Sequence, residues 1–302
     1  EHLQYLYENN YQVWDVHKII DYLSSNKNIP KKVVAVTFDD AYKSIYTNAY
    51  PLLKKYNYPF TIYINSAPIG KKSIYLNWDE LNIMKNGLTS FGSHSNYHNF
   101  LIRKEIDNWE NTTLNDLKES NKIIFENTNV KVSSFAYPFG EYDKELIKIV
   151  KSLYTFALAQ QSGSVDYDFK PYEIPRFSMT SSYGDIERFK NILSIKPLKM
   201  TLLNLDNKIL KTEQLENITF IFSLQIDDDF NLNNFNCFDS GGEKLLIEKD
   251  FLNKKIKIKS PKWEMGRKKI NCTVESKSNP NNYYWYSEVF YIKSKENEWY
   301  KP

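Results

Sequence analysis

The sequence predicts an α/β protein in two parts, a parallel (β/α) barrel over residues 1–202 and a β-sandwich over residues 203–302. Three observations predict it. Strand-like and helix-like runs alternate up to about residue 195. Several strand-like runs end in residues that carry chemistry, as strand C-termini do in parallel folds. Past residue 200 the helical spacing gives way to short strands of alternating polarity.

The first strand-like run, 33–38, is Val-Val-Ala-Val-Thr-Phe. With no polar break it reads as a strand buried on both faces. A helix is predicted around 45–56, then a strand at 60–64 and another at 88–91. A helix carrying Leu114, Leu117, Ile123 and Ile124 precedes the strand-like run 132–137. Leu146, Ile149, Val150 and Leu153 recur at helical spacing, and 156–159 reads as a further buried strand. This βαβα order predicts the parallel barrel.

Beyond the boundary near 203, residues 218–224, 255–259, 269–274 and 283–292 read as strands. The Lys-Ile-Lys-Ile-Lys run at 255–259 alternates strictly, as a half-exposed antiparallel strand does. Their spacing predicts a sandwich. A polar, Asp/Asn-rich loop occupies 227–236, and there are no repeats. Cys237 and Cys272 are the only cysteines. A disulfide between them is expected in an exported protein. Two separate buried thiols are the alternative. In Tyr283-Tyr284-Trp285-Tyr286, successive side chains face opposite ways, so at most half of the run can form a sugar-stacking platform.

At 302 residues the chain is long enough for one large core and one smaller core. Its 40 basic and 37 acidic side chains give +3, which is no nucleic-acid signature. No run of about 18 apolar residues appears, so no transmembrane helix is expected. A signal peptide is also absent, and Glu1 opens in a helix-like stretch. The expectation is an exported monomer whose export signal, and a first barrel strand, lie upstream. Aromatic residues make up 16% of the chain, which suits sugar stacking but also suits tyrosine-rich cores.

The chemistry concentrates at three strand ends. Asp39 and Asp40 close the first run. Two carboxylates at the end of a buried strand cost several kcal/mol each unless something pairs with them. A metal ion would do so, with one acid as ligand and the other as base. His94 and His98 are two of only four histidines. On a helical turn their spacing places both rings on one face, within reach of one ion. Alone, the pair is a weak signal and reads more simply as two polar residues on a loop. The third run ends at Pro138-Phe139-Gly140. A backbone fixed by proline and glycine can aim the Phe139 N–H at a developing oxyanion, although a plain strand-to-helix turn has the same composition.

Thr37-Phe38-Asp39-Asp40, His94-x-x-x-His98 and Tyr137-Pro138-Phe139-Gly140 resemble the first three motifs of the polysaccharide deacetylases, the NodB-homology group or carbohydrate esterase family four. The resemblance covers roughly residues 1–200. His2-Leu3-x-Tyr5-Leu6, Ala49-Tyr50-Pro51-Leu52-Leu53 and Tyr58-Pro59-Phe60-Thr61 are similar to the subgroup that deacetylates poly-N-acetylglucosamine in biofilm matrices. The resemblance implies a distorted (β/α) barrel of about seven strands. It implies a divalent ion, most simply zinc, held by Asp40, His94 and His98, with Asp39 as general base and the Phe139 N–H on the oxyanion. The implied reaction is removal of acetyl groups from an acetylated amino-sugar polysaccharide.

Two positions depart from the family pattern. Ala136 stands where the family carries an arginine that orients the catalytic aspartate. Pro175-Arg176-Phe177 looks like the subgroup's fourth motif, which assigns that task to Arg176. No histidine follows His98, although the family offers a late histidine as general acid. Its expected place, near 195–198, holds nothing that titrates near neutrality. Protonated Asp39, water, Asp166 or Asp168 are the substitutes. The missing acid keeps two other readings open: a deacetylase of another glycan such as peptidoglycan, and a glycan-binding protein without catalysis.

Overall fold

The computed structural model describes residues 1–85 and 87–301. It forms two compact units. One contains Glu1–Ala159 and Asp166–Ile174, and the other contains Gln160–Val165 and the chain from Pro175 on.

The first unit opens with α1 (His2–Glu8), β1 (Gln12–Val13) and α2 (Val16–Ser24). Asp15 caps α2 by accepting the His17 N–H at 2.8 Å, and the helix buries Val16, Ile19, Ile20 and Leu23 on one face. There follow β2 (Val33–Val34), β3 (Thr37–Phe38), α3 (Tyr50–Lys55) and β4 (Phe60–Ile64). α4 (Trp78–Met84) starts at a reciprocal cap between Asn77 and Glu80. The remaining elements are β5 (Thr89–Ser93), α5 (Trp109–Thr128), β6 (Ser134–Ala136), α6 (Lys144–Leu153) and β7 (Phe156–Leu158).

Strands β3 to β7 lie in chain order in one parallel sheet. Their C-terminal ends therefore share one edge, and three of the four connections that leave it carry the acids, the histidines and Phe139. The sheet packs closely at its centre. A Cβ added to Gly92 would lie 2.3 Å from the Tyr63 ring and 2.8 Å from Ser134 Oγ, so only glycine fits there.

Two expectations change here. The sheet is an open run of five strands, not a closed barrel of about seven; among the described residues, no ladder joins β7 back to β3. The run 33–38 is also not one strand buried on both faces. It splits, with β2 pairing β1 in a separate two-stranded ladder and β3 forming the edge of the main sheet. All six residues are only half-buried, as suits an edge position. The strands buried along their whole length are β4, β6 and β7.

The second unit contains α7 (Ile186–Ile192), β8 (Lys196–Pro197), β9 (Met200–Leu202), β10 (Ile209–Lys211), β11 (Thr219–Leu224) and β12 (Phe230–Phe238). It continues through β13 (Ile247–Asp250), β14 (Lys255–Lys259), β15 (Gly266–Ser276) and β16 (Tyr283–Lys293). One sheet runs β10-β16-β15-β12 with β8 also on β16, and the other runs β13-β14-β11-β9. Phe220, Phe222, Ile256 and Ile258 of the second sheet share one apolar cluster with Phe235, Val274, Phe290 and Ile292 of the first. The rings of Phe220 and Phe290 approach to 4.6 Å.

This arrangement moves the division between the units upstream of the expected 202/203. Lys196–Pro197 pairs with β16, and Met200–Leu202 pairs with β11, so both segments are held by the second unit's sheets. Within β16, Tyr284 lies in the core, while Tyr283 stays 40% exposed. The aromatic run is thus split between two faces, as its alternation requires. No described helix is long and apolar enough to cross a membrane.

Cys237 and Cys272 face each other across β12 and β15 and are bonded, with S–S 2.02 Å. The bridge spans 35 residues. In the chain-entropy account, closure of such a loop stabilises the fold by about 3–4 kcal/mol. Thiol titration of denatured, unreduced protein should find no free thiol, and reduction should lower the melting temperature. Two titratable thiols per chain, in protein made in an oxidising compartment, would rule the bridge out.

Candidate metal centre

Asp40, His94 and His98 converge, with one ligand atom from each lying within 4.8 Å of the others. Asp40 Oδ1 is 3.4 Å from His98 Nε2 and 3.7 Å from His94 Nε2. Ligands 2.0–2.1 Å from a tetrahedral zinc stand about 3.3–3.4 Å apart, and both Asp40–histidine separations come within a few tenths of an ångström of that.

His94 is 1% exposed, and its Nδ1 lies 2.7 Å from the Ala136 carbonyl oxygen. A carbonyl only accepts, so the proton sits on Nδ1 and Nε2 presents its lone pair to the centre. Position 136, where the sequence lacks the family's arginine, thus contributes its backbone to the site. Burial, and then the neighbouring His94, hold His98 below the usual histidine value, although the charges of Asp40 and Asp39 pull it back up. The neutral ring that results is the form that binds a metal.

The two histidines do not meet on a helical turn as their spacing suggests. Residues 94–98 form a loop in which Ser95 (φ +64°) and His98 (φ +57°) are left-handed. The loop is closed by the His98 N–H donating to Ser95 Oγ at 2.9 Å. These two reversals, not helical periodicity, bring the ring centroids to 4.8 Å.

Asp40 (φ +69°) and Ala41 (φ +56°) are left-handed too. The following residues are braced antiparallel against 74–76: Lys43 N–H donates to Ile74 O at 2.8 Å, and Leu76 N–H donates to Ala41 O at 2.9 Å. Tyr42 and Tyr75 face each other in this bridge, with near-parallel rings at 5.2 Å. Tyr42, two residues after Asp40, remains 38% exposed beside the centre.

Phe139 is left-handed (φ +58°) between Pro138 and Gly140. Its ring stacks on Phe100 at 3.9 Å and meets the His98 ring edge-on at 4.5 Å. The Arg103 guanidinium lies over the other ring of the stack, 3.6 Å from the Phe100 centroid. This aromatic stack packs against the His98 ring, and neither Phe100 nor Arg103 belongs to a motif that marks it.

Asp39 is half-buried, and its charge acts on His98. Arg176 falls in the second unit, where its backbone N–H donates to Gln161 O at 2.9 Å. Asp166 accepts the Asp168 N–H at 3.1 Å, a local turn in the first unit. Sequence reasoning missed the side chains of α5 that hold the histidine loop. Asp116 accepts the Asn96 N–H, and Ser120 donates to the Ser95 carbonyl. Their one visible sign is polarity on the helix's buried face, where Thr113, Ser120 and Thr128 interrupt Leu117 and Ile124.

Residues 26–156 match the model of the family described as polysaccharide deacetylase. The chain is 31% identical over 167 residues to a poly-beta-1,6-N-acetyl-D-glucosamine N-deacetylase of Staphylococcus aureus. That match covers 51% of this chain and 57% of the relative's length. Among solved structures, a Streptococcus pyogenes deacetylase in complex with acetate matches at TM-score 0.54 and 25% identity, over 58% of this chain and 76% of that one. A de-N-acetylase from Aggregatibacter actinomycetemcomitans shares the fold at TM-score 0.56 and 23% identity, over 63% and 86% of the two chains.

Proposed function

Since residues 26–156 belong to the polysaccharide deacetylase family, we propose that this protein is a metal-dependent N-deacetylase of N-acetylglucosamine units in an extracellular polysaccharide. The observation that carries the reading is the convergence of Asp40, His94 and His98, with the His94 proton fixed on Nδ1 by Ala136. These three residues would hold a divalent ion, most simply zinc, and leave a fourth position open. When bound, the ion lowers the pKa of water and polarises the acetamide carbonyl.

The remaining steps belong to the protein's own groups. The Asp39 carboxylate takes a proton from the attacking water. The Phe139 N–H, set by its left-handed backbone, donates to the oxygen on which charge develops. The amine leaves as its nitrogen gains a proton. With no histidine after His98, protonated Asp39 or water supplies it. The exposed Tyr42 ring, stacked on the half-buried Tyr75, offers an aromatic face to a sugar ring. The second unit, read as a β-sandwich, is an accessory module, and the setting of the reaction is outside the cytoplasm.

Acetate release from poly-N-acetylglucosamine oligomers with added zinc tests the reading, with peptidoglycan and an acetyl ester run in parallel. Release from the oligomers above both comparators supports it. Preference for peptidoglycan moves the substrate, and oligomer binding without release makes the chain a glycan-binding protein.

Arg176, in Pro175-Arg176-Phe177, is the proposed substitute for the arginine absent at Ala136, with the task of keeping Asp39 ionised. Arg176→Ala should then raise the acidic pKa of the kcat/KM profile and lower the plateau by about tenfold to a hundredfold. An unchanged acidic limb would remove Arg176 from the site.

A further inference from the structure

The loop between the two histidines is gripped from one side by α5, through side chains one turn apart. The Asp116 carboxylate accepts the Asn96 N–H at 3.0 Å and the Tyr97 N–H at 3.4 Å. Ser120 Oγ donates to the Ser95 carbonyl at 3.1 Å and accepts from Ser93 Oγ at 3.2 Å. From the other side, the segment after β4 holds the same loop. Ser66 N–H and Ala67 N–H donate to the carbonyls of Ser95 and Asn96 at 3.3 and 3.0 Å, and Ser66 Oγ donates to Asn96 Oδ1 at 2.8 Å. Ser95, Asn96 and Ser120 are all buried.

The chemistry of this grip is specific. The left-handed backbone at Ser95 turns two successive N–H groups, those of Asn96 and Tyr97, toward one side. Successive amides turned this way form a concavity that takes an anion. Here the anion comes from the protein itself, as the Asp116 carboxylate. A carboxylate accepts at both oxygens and donates at neither, so it matches two converging donors, and its charge strengthens both bonds.

We propose that Asp116 is a positioning residue for the metal centre: it holds the loop in the one conformation that presents His94 and His98 together, with Ser120 as its helper. The inference rests on the metal-site reading above. Left-handed residues such as Ser95 and His98 relax to ordinary backbone when nothing holds them. A loop that visits the competent conformation only part of the time binds the ion more weakly by that fraction. Asp116 raises the fraction without touching the ion. Partners that orient metal ligands are typically worth tenfold to a hundredfold in affinity.

The test compares the full chain with Asp116→Ala, Asp116→Asn and Ser120→Ala. Zinc affinity is measured by competition with a chromophoric chelator, and coordination by the visible absorption of the cobalt(II)-substituted proteins. Asp116→Ala should weaken zinc by about tenfold to a hundredfold and alter the cobalt spectrum. Asp116→Asn keeps one acceptor oxygen and should fall between it and wild type, and Ser120→Ala should show a smaller loss. A purely structural role would lower the melting temperatures of the metal-free variants but leave affinity and cobalt spectrum at wild-type values, which overturns the proposal. Should Asp116→Ala fail to fold, wild-type zinc affinity in both of the other variants overturns it equally. If the wild-type protein itself binds no zinc, the metal-site reading fails and the inference falls with it. Tight wild-type binding that the variants share defeats the inference alone.

Discussion

His98→Ala should give a folded chain that retains no stoichiometric zinc. The ring is not fully buried, its side chain being 23% exposed, so water can enter the space that its removal opens. The stack of Phe139 on Phe100 does not depend on it. What the substitution removes is one of the three proposed ligands. Asp40 and His94 then hold the ion alone, and a two-ligand site loses it to water and buffer. The check is elemental analysis after gel filtration, together with thermal melts with and without zinc. A ligand that binds only the folded state stabilises it by about 2.7 kcal/mol at a hundred times its Kd. Wild type should melt higher with zinc, and the variant should not respond. Stoichiometric metal in the variant would mean that another group completes the site.

The placement of these residues was legible because they lie at strand ends. Asp39–Asp40, His94 and Pro138-Phe139-Gly140 each follow a β-strand of one parallel sheet, and parallel strands must point their C-termini the same way. The local route from residue to site was less legible. An i, i+4 histidine pair has a helical explanation, but this pair meets through left-handed residues at Ser95 and His98, and nothing in their identity announces them. The strand at 33–38 was misplaced for a related reason. Its apolar composition matches that of β4, and only pairing decides that β4 is central while β3 is an edge. Asp116 stands 20 residues from Asn96, on a helix whose own pattern explains it as a surface acid. Contacts at that separation come from packing, which local periodicity does not encode.

Asp39→Asn should keep the metal and lose most of the activity. The substitution preserves shape and removes the charge and basicity, so it separates a proton acceptor from a ligand. The three proposed ligand atoms belong to Asp40, His94 and His98, and none of them is altered. The lost charge does act on His98, whose proton affinity Asp39 raises. Without that charge His98 stays neutral to lower pH, which favours metal binding, while the cation loses one nearby counter-charge. The two effects oppose each other, so zinc affinity should move little. Catalysis has no such compensation. An amide cannot accept the water proton, and general-base catalysis is worth about 10²–10⁴-fold. The loss should fall on kcat, with KM for the oligomer nearly constant, because Asp39 acts on the attacking water and not on the sugar. The decisive pair of measurements is zinc content and steady-state acetate release on one preparation. A variant without zinc would make Asp39 a ligand, and a variant with zinc and near-normal kcat would place the base elsewhere.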